Sequence, residues 1–203
     1  QSNSIGEAFA GTFRGFGIGP AEGEFNYISL IVGIVVAVLS FLVFVGGVKR
    51  IGSLTEKLVP FMAGFYILGA LIVIFANITQ VPQAFAQIFV GAFQPQAVVG
   101  GAVGIGIQKA VRYGVARGLF SNEAGMGSTP HAHAMANVKN PCDQGLAAIV
   151  GVFIDTFIIL TLTALVILVT GVLPAGMAGE YEGIALTQAG FQQVFGQFGS
   201  VFI

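Results

Sequence analysis

Residues 28 to 48 read ISLIVGIVVAVLSFLVFVGGV and hold no charged side chain. A helix needs about 20 such residues to cross a hydrocarbon core. No water reaches an open N–H or C=O there, so an isolated apolar run has to settle its backbone hydrogen bonds within itself, as helix. The rest of the chain obeys the same constraint. Only 8% of its 203 residues are charged and 55% are hydrophobic, with 30 glycines, 19 phenylalanines and a mean hydropathy of +0.89. An ordinary soluble domain carries roughly 25% charged residues, and a soluble fold could not cover its surface with so few. The class is all-α integral membrane. A net charge of −1 gives no sign of a nucleic-acid partner, and the single Cys142 excludes an internal disulfide.

Lys49 and Arg50 close the first span, and RIGSLTEK reads as a short hinge. A second span, Leu58 to Ile78, follows, with Pro60 near its first turn, where a missing N–H costs little. Val81 to Phe93 is too short to cross and suits an interfacial or re-entrant helix. Gln96 to Ala116 is a weaker span, with Gly100, Gly101, Gly104 and Gly106 in its first half and Lys109 and Arg112 in its second. Gly145 to Leu173 is the strongest span and carries one charge, Asp155. An amphipathic tail runs from Ile184 onward. The chain opens on QSNSIGEAF without Met or a basic region and stops on the apolar FGSVFI, so it reads as the middle of a longer protein.

The charges sort by side. Lys49, Arg50 and Lys57 share one loop, and Lys109, Arg112, Arg117 and Lys139 surround another. Glu22 and Glu24 precede the first span, and Glu180 and Glu182 follow the last. With alternating spans, the excess of Lys and Arg places the connector 117–144 in the cytoplasm.

That connector opens with RGLFSNEAGMGSTPHAHA, small, polar and glycine-rich between two apolar regions. It lacks the G-x-x-x-x-G-K-[ST] pattern of a phosphate loop and follows no strand. His131 and His133, two apart, face different sides of a helix, and a zinc site needs more ligands than nearby Glu123 supplies. The plainer expectation is a turn and a short helix, with Ser128 or Thr129 as N-cap, Pro130 at the first helical position and Asn140-Pro141 as the stop. The glycine cluster has two readings: close helix packing, or an interrupted helix whose freed backbone lines a polar cavity. Asp155 likewise reads as an intramembrane functional group or as a helix-packing hydrogen bond.

GVARGLFSNEAGMGSTPHAHA followed by QGLAAIVGVFIDTFIILTLTALVILVTG resembles the alanine or glycine:cation symporter family, the sodium:alanine symporters. QSNSI, GGVKRI, LVPFMAGFYILGALIVI and FVGAFQPQAVVGGAVG support it in order along the chain. The resemblance implies a LeuT-like transporter fold of two inverted five-helix repeats, here partial and covering about core helices 3 to 7. QSNSIGEAF would lie on the third, and residues 28–48, 58–78, 96–116 and 145–173 would be the fourth to the seventh. It places Gln1, Asn3, Gly100, Gly101 and Gly104 toward the substrate. It makes Arg117, Asn122 and Glu123 conformational or gate candidates, with Arg117 and Glu123 as a pair. The main Na⁺ ligands would lie outside these residues.

The expected function is secondary active transport. A small neutral amino acid, alanine or glycine, would cross with Na⁺ by alternating access, with H⁺ coupling not excluded, no other cofactor and no covalent chemistry. The expected setting is the lipid bilayer of a prokaryotic cell membrane, multi-pass, with the full-length protein a monomer. The competing expectations are a membrane-embedded enzyme using Asp155, Glu123 and the histidines, and a non-transporting scaffold or sensor built from a truncated symporter.

Overall fold

Nineteen consecutive residues of the first apolar run, Tyr27–Val45, form one helix (α2). Asn26 starts it, its side-chain oxygen accepting from the Ser29 N–H at 3.1 Å. Most side chains of α2 are exposed, Leu30, Ile34, Val38, Phe41 and Val45 among them; Val32, Val36 and Val43 are half-buried and Ile28 is buried. Helices Ser2–Gly15 and Gly47–Ala76 pack on part of α2; a helix apolar on all sides with most of its surface uncovered is built for lipid or for further helices. The computed structural model describes residues 2–15, 26–93, 102–123, 125–174 and 183–203. Among them lie α1 (Ser2–Gly15), α3 (Gly47–Ala76), α4 (Val81–Phe93), α5 (Ala102–Ser121), α6 (Ser128–His133), α7 (Pro141–Phe153), a π-helical segment (Ile154–Ile159), α8 (Leu160–Val169), α9 (Ile184–Phe195) and a closing 3-10 helix (Gly196–Phe202). No strand occurs among the described residues. Three helices, Tyr27–Val45, Lys49–Ala76 and Pro141–Val169, are long and apolar enough to cross a membrane.

The hinge expected at RIGSLTEK is helical. The break comes earlier, at Gly46 and Gly47, where Gly47 adopts a φ of 69° that only glycine takes without strain. Nothing in residues 50 to 57 stops a helix, so α3 runs through them, and Pro60 lies inside it rather than in its first turn. There Pro60 removes one intrahelical hydrogen bond.

The chain divides into two compact units, residues 1–81 with 165–203, and residues 82–164. In the first, the core sits where α1, the C-terminal half of α3, α8, α9 and the 3-10 helix meet. Ala10, Ala70, Val73, Val166, Val169 and Phe191 are buried there. The segment from Ile184, expected as an amphipathic tail, is instead the most deeply packed helix, with Gln188, Ala189, Gly190 and Phe191 all buried. A ring cluster joins it to α3: Phe202 stacks on Phe65 at 4.6 Å and on Phe195 at 4.5 Å, and Phe191 meets Tyr66 at 5.7 Å. Gln188, almost wholly buried, donates from Nε2 to the Ala8 carbonyl at 3.0 Å, so its amide is not stranded.

In the second unit, side-chain hydrogen bonds around the α5–α6 turn join α5 to the π segment and α6 to α7.

Glycine lets backbone approach backbone closely in the first unit. A Cβ at Gly199 would lie 2.4 Å from the Phe191 backbone carbon and from the Gln192 nitrogen, whereas one at Gly33 on α2 would meet nothing within 4 Å. Backbone cannot swing aside as a side chain can. Gly199→Ala is therefore expected to destabilise the intact protein by about 1–3 kcal/mol, as overpacking does. Gly33→Ala is expected to stay within about 0.5 kcal/mol. Thermal unfolding of both variants in the same detergent checks the contrast; equal melting shifts would remove the packing argument.

Candidate functional site

The residues that come together lie in the second unit, where α5 ends. Asn122 closes that helix twice, donating to the Gly118 carbonyl from its backbone N–H at 3.2 Å and from its side-chain Nδ2 at 3.0 Å. Glu123 follows with a φ of 51°, the only non-glycine residue with positive φ among those described. Such a conformation is uncommon for a side chain of this kind. Gly125 and Gly127 repeat the left-handed turn at φ of 79° and 80°.

Two hydroxyls hold Glu123. Its Oε2 accepts from Ser128 Oγ at 2.7 Å and from Thr129 Oγ1 at 3.0 Å. These are the side chains expected to cap α6. The N-cap is Gly127, and it makes no side-chain cap bond. The carboxylate makes the difference: a hydrogen bond to an ionised acceptor is roughly twice as strong as one between neutral groups. The same two bonds hold the Glu123 carboxyl below its usual value of 4.5. No ion pair between Arg117 and Glu123 occurs among the described residues; Arg117 is exposed on α5.

The histidines diverge. His131 donates from Nδ1 to the Gly127 carbonyl, an oxygen that only accepts, which fixes the proton on that nitrogen. His133 turns the other way, with its Nδ1 accepting from the Gln144 amide. α6 ends at His133, well before Asn140. Asn140-Pro141 starts the next helix instead of stopping this one: Asn140, extended at φ −129° and ψ 127°, accepts from the Cys142 N–H at 3.3 Å, and Pro141 takes the first position. The bias against helix before proline serves a helix start as well as a stop.

Across from the α5 terminus runs the π segment. Ser121 Oγ donates to Asp155 Oδ2 at 2.6 Å, and Thr156 Oγ1 donates to Asn122 Oδ1 at 3.1 Å. Asp155 thus makes an inter-helix hydrogen bond, the plainer of its two readings. Between the elements lies a pocket of about 270 Å³ lined by Ser121, Asn122, Glu123, His133, Gly151 and Asp155 among others. Ala147, Ala148 and Gly151 leave it room on the α7 side.

Of the expected site residues, the structure gathers Asn122 and Glu123 around this pocket. Asn3 lies on α1 and Gly104 on α5. Gln1, Gly100 and Gly101 lie outside the described residues. Sequence reasoning missed the bridges themselves, although the signal was present: two adjacent polar pairs, Ser121-Asn122 where α5 ends and Asp155-Thr156 in an otherwise apolar run. Among the described residues no three His, Cys, Asp or Glu side chains are grouped to hold a metal ion.

Helices fit to cross a membrane, with a hydrogen-bonded polar turn between two of its helical segments, define a helical membrane protein. Comparison with known proteins narrows the class. The whole chain, residues 1–203, matches the model of the sodium:alanine symporter family. It is 45% identical over 185 residues to the amino-acid carrier protein AlsT of Bacillus subtilis (strain 168), covering 91% of this chain and 38% of that one. It is 40% identical over 215 residues to the sodium/proton-dependent alanine carrier protein of Bacillus sp. (strain PS3), covering 100% and 44%. It is 39% identical over 194 residues to the sodium/alanine symporter AgcS of Methanococcus maripaludis, covering 91% and 42%. The chain belongs to the sodium:alanine symporter family. It spans about two fifths of the length of the curated relatives it matches.

The Glu123 turn has a pH signature. Because the folded carboxyl is held below 4.5, its contribution to stability is fully present above that value and is lost as pH falls through the lowered one. An NMR titration of the Glu123 side-chain carbon in the intact protein is expected to show the low value. Ser128→Ala is expected to raise it, and Ser128→Ala with Thr129→Val to return it toward 4.5. A titration identical in all three proteins would remove the hydroxyls as its cause.

Proposed function

We propose that this chain is the central part of one LeuT-like transporter domain, carrying a small neutral amino acid, alanine or glycine, inward with Na⁺ by alternating access. The observation that carries the reading is the family match along the entire chain, with relatives named as sodium/alanine symporters and amino-acid carriers. Membership in a transporter family favours this over a membrane-embedded enzyme or a non-transporting scaffold. The spans proposed remain about 28–48, 58–78, 96–116 and 145–173, as core helices four to seven. The basic residues around connector 117–144 favour its placement on the cytoplasmic side of a prokaryotic cell membrane. The full-length protein is proposed to act as a monomer.

In this reading Gln1, Asn3, Gly100, Gly101 and Gly104 face the substrate, and residues outside this chain supply most of the Na⁺ ligands. Arg117, Asn122 and Glu123 act in the conformational change. Sodium raises substrate affinity by preorganising the cavity, and by linkage the substrate tightens sodium by the same factor. A proton as coupling ion is the second reading, favoured by the relative named for both sodium and proton dependence.

Two measurements on the full-length protein test the proposal. Alanine uptake into vesicles is expected to require an inward Na⁺ gradient; full uptake driven by a proton gradient alone would overturn the sodium assignment. Gly101→Val is expected to abolish alanine binding while leaving thermal stability nearly intact, since a side chain there takes the ligand's space. If Gly101 serves only close packing, the same change costs about 1–3 kcal/mol of stability and spares intrinsic affinity.

A further inference from the structure

The π-helical segment Ile154–Ile159 interrupts a helix that is regular before and after it. Its end is marked by the Leu160 N–H bonding to the Asp155 carbonyl, five residues back. Such turns are rare and occur mostly where a helix has a task beyond spanning. Here the segment presents two consecutive residues, Asp155 and Thr156, to two consecutive residues at the end of α5, Ser121 and Asn122. Successive residues of an α-helix diverge by about 100°, so a regular helix turns one of such a pair away from a shared neighbour. The wider π turn reduces that divergence. Both bridge residues of the π segment are half-buried, while Val152, Phe153, Ile154, Phe157 and Ile158 around them are exposed. The bridges are thus what this stretch of helix is packed by.

We propose that the Ser121–Asp155 and Asn122–Thr156 bridges form a two-rung lock that holds the helix in its π register, and that releasing the lock is a step of the transport cycle. When the lock opens, the π turn takes up its extra residue as ordinary α-helix. The part beyond then rotates by about 100° and gains about 1.5 Å of rise relative to the part before. Asp155 and Thr156 act as positioning residues, since they set the register of the helix and need not touch the cargo. Ser121, Asn122 and Asp155 also line the pocket, so the same shift changes its wall. The assignment of the shift to a transport step rests on the transporter reading above; the lock itself does not.

The register is readable directly. Leu146, before the π segment, and Leu160, just after it, are both exposed and on the same helix. Spin labels at Leu146→Cys and Leu160→Cys, in a Cys142→Ser background of the full-length protein, report their separation by pulsed EPR. Ser121→Ala and Thr156→Val are each expected to move the main distance by several Å, with the double variant moving it no further. Asp155→Asn keeps an oxygen that accepts from Ser121 and is expected to leave the distance where it was. Unchanged distances in both single variants and in the double would overturn the lock. In the unaltered lock, adding Na⁺ with alanine is expected to shift population between the same two distances. A lock that opens in the variants but never with Na⁺ and alanine would overturn the transport step alone. Because the variant distances require no cargo, failure of alanine uptake in the parent protein would count against the function proposed above and leave the lock standing.

Discussion

A backbone in hydrocarbon has no solvent to fall back on, and each helix of this chain settles its own N–H and C=O groups or borrows a side chain to do so. The borrowed cases mark where the chain departs from plain helix. Asn26 and Asn140 each give an oxygen to a helix start. Asn122 gives its amide to a helix end. Thr163 and Thr170 return their hydroxyls to carbonyls one turn back, which lets polar residues ride in an apolar helix without an open donor. Among the described residues no buried side-chain nitrogen or oxygen is left without a partner.

The first unit shows what this costs in sequence freedom. Where backbone approaches backbone, only glycine fits, as at Gly199 against Phe191 and Gln192. Gly69 does the same for rings, since a Cβ there would lie 2.4 Å from Phe202. Gly11 leaves space for the Gln188 amide, whose oxygen would sit 2.7 Å from an added Cβ. The described glycines thus divide into those that permit contact and those, like Gly33 and Gly151, with nothing near them. Composition alone does not separate the two groups.

The helical class was legible from one uncharged run, and the strongest spans were legible from their length. Boundaries were harder, because they turn on local competition that hydropathy does not record. RIGSLTEK is polar enough to look like a hinge, yet it contains no residue that stops a helix, and the chain bends at the glycine pair before it. Ser128 and Thr129 have the right chemistry for capping, but a carboxylate five and six residues upstream takes both hydroxyls. Pairing between helices was out of reach for the same reason. Ser121 and Asp155 lie 34 residues apart, and the bond between them joins the end of α5 to the π segment. The family signature was visible in the residues themselves; the cavity it implies draws on positions that this chain holds only in part.

One feature of the first unit bears on how the chain is made. The unit is discontinuous, built from residues 1–81 and 165–203. The Ala8 carbonyl receives its Gln188 partner 180 residues later in the sequence. At a synthesis rate of about 5–20 residues per second, α1 emerges roughly 10–40 s before the amide that meets it. During that interval residues 82–164, the second unit, are synthesised. The order of synthesis therefore opposes the order of packing: α1 waits for α9, made some 180 residues later, before the Ala8 carbonyl meets its amide.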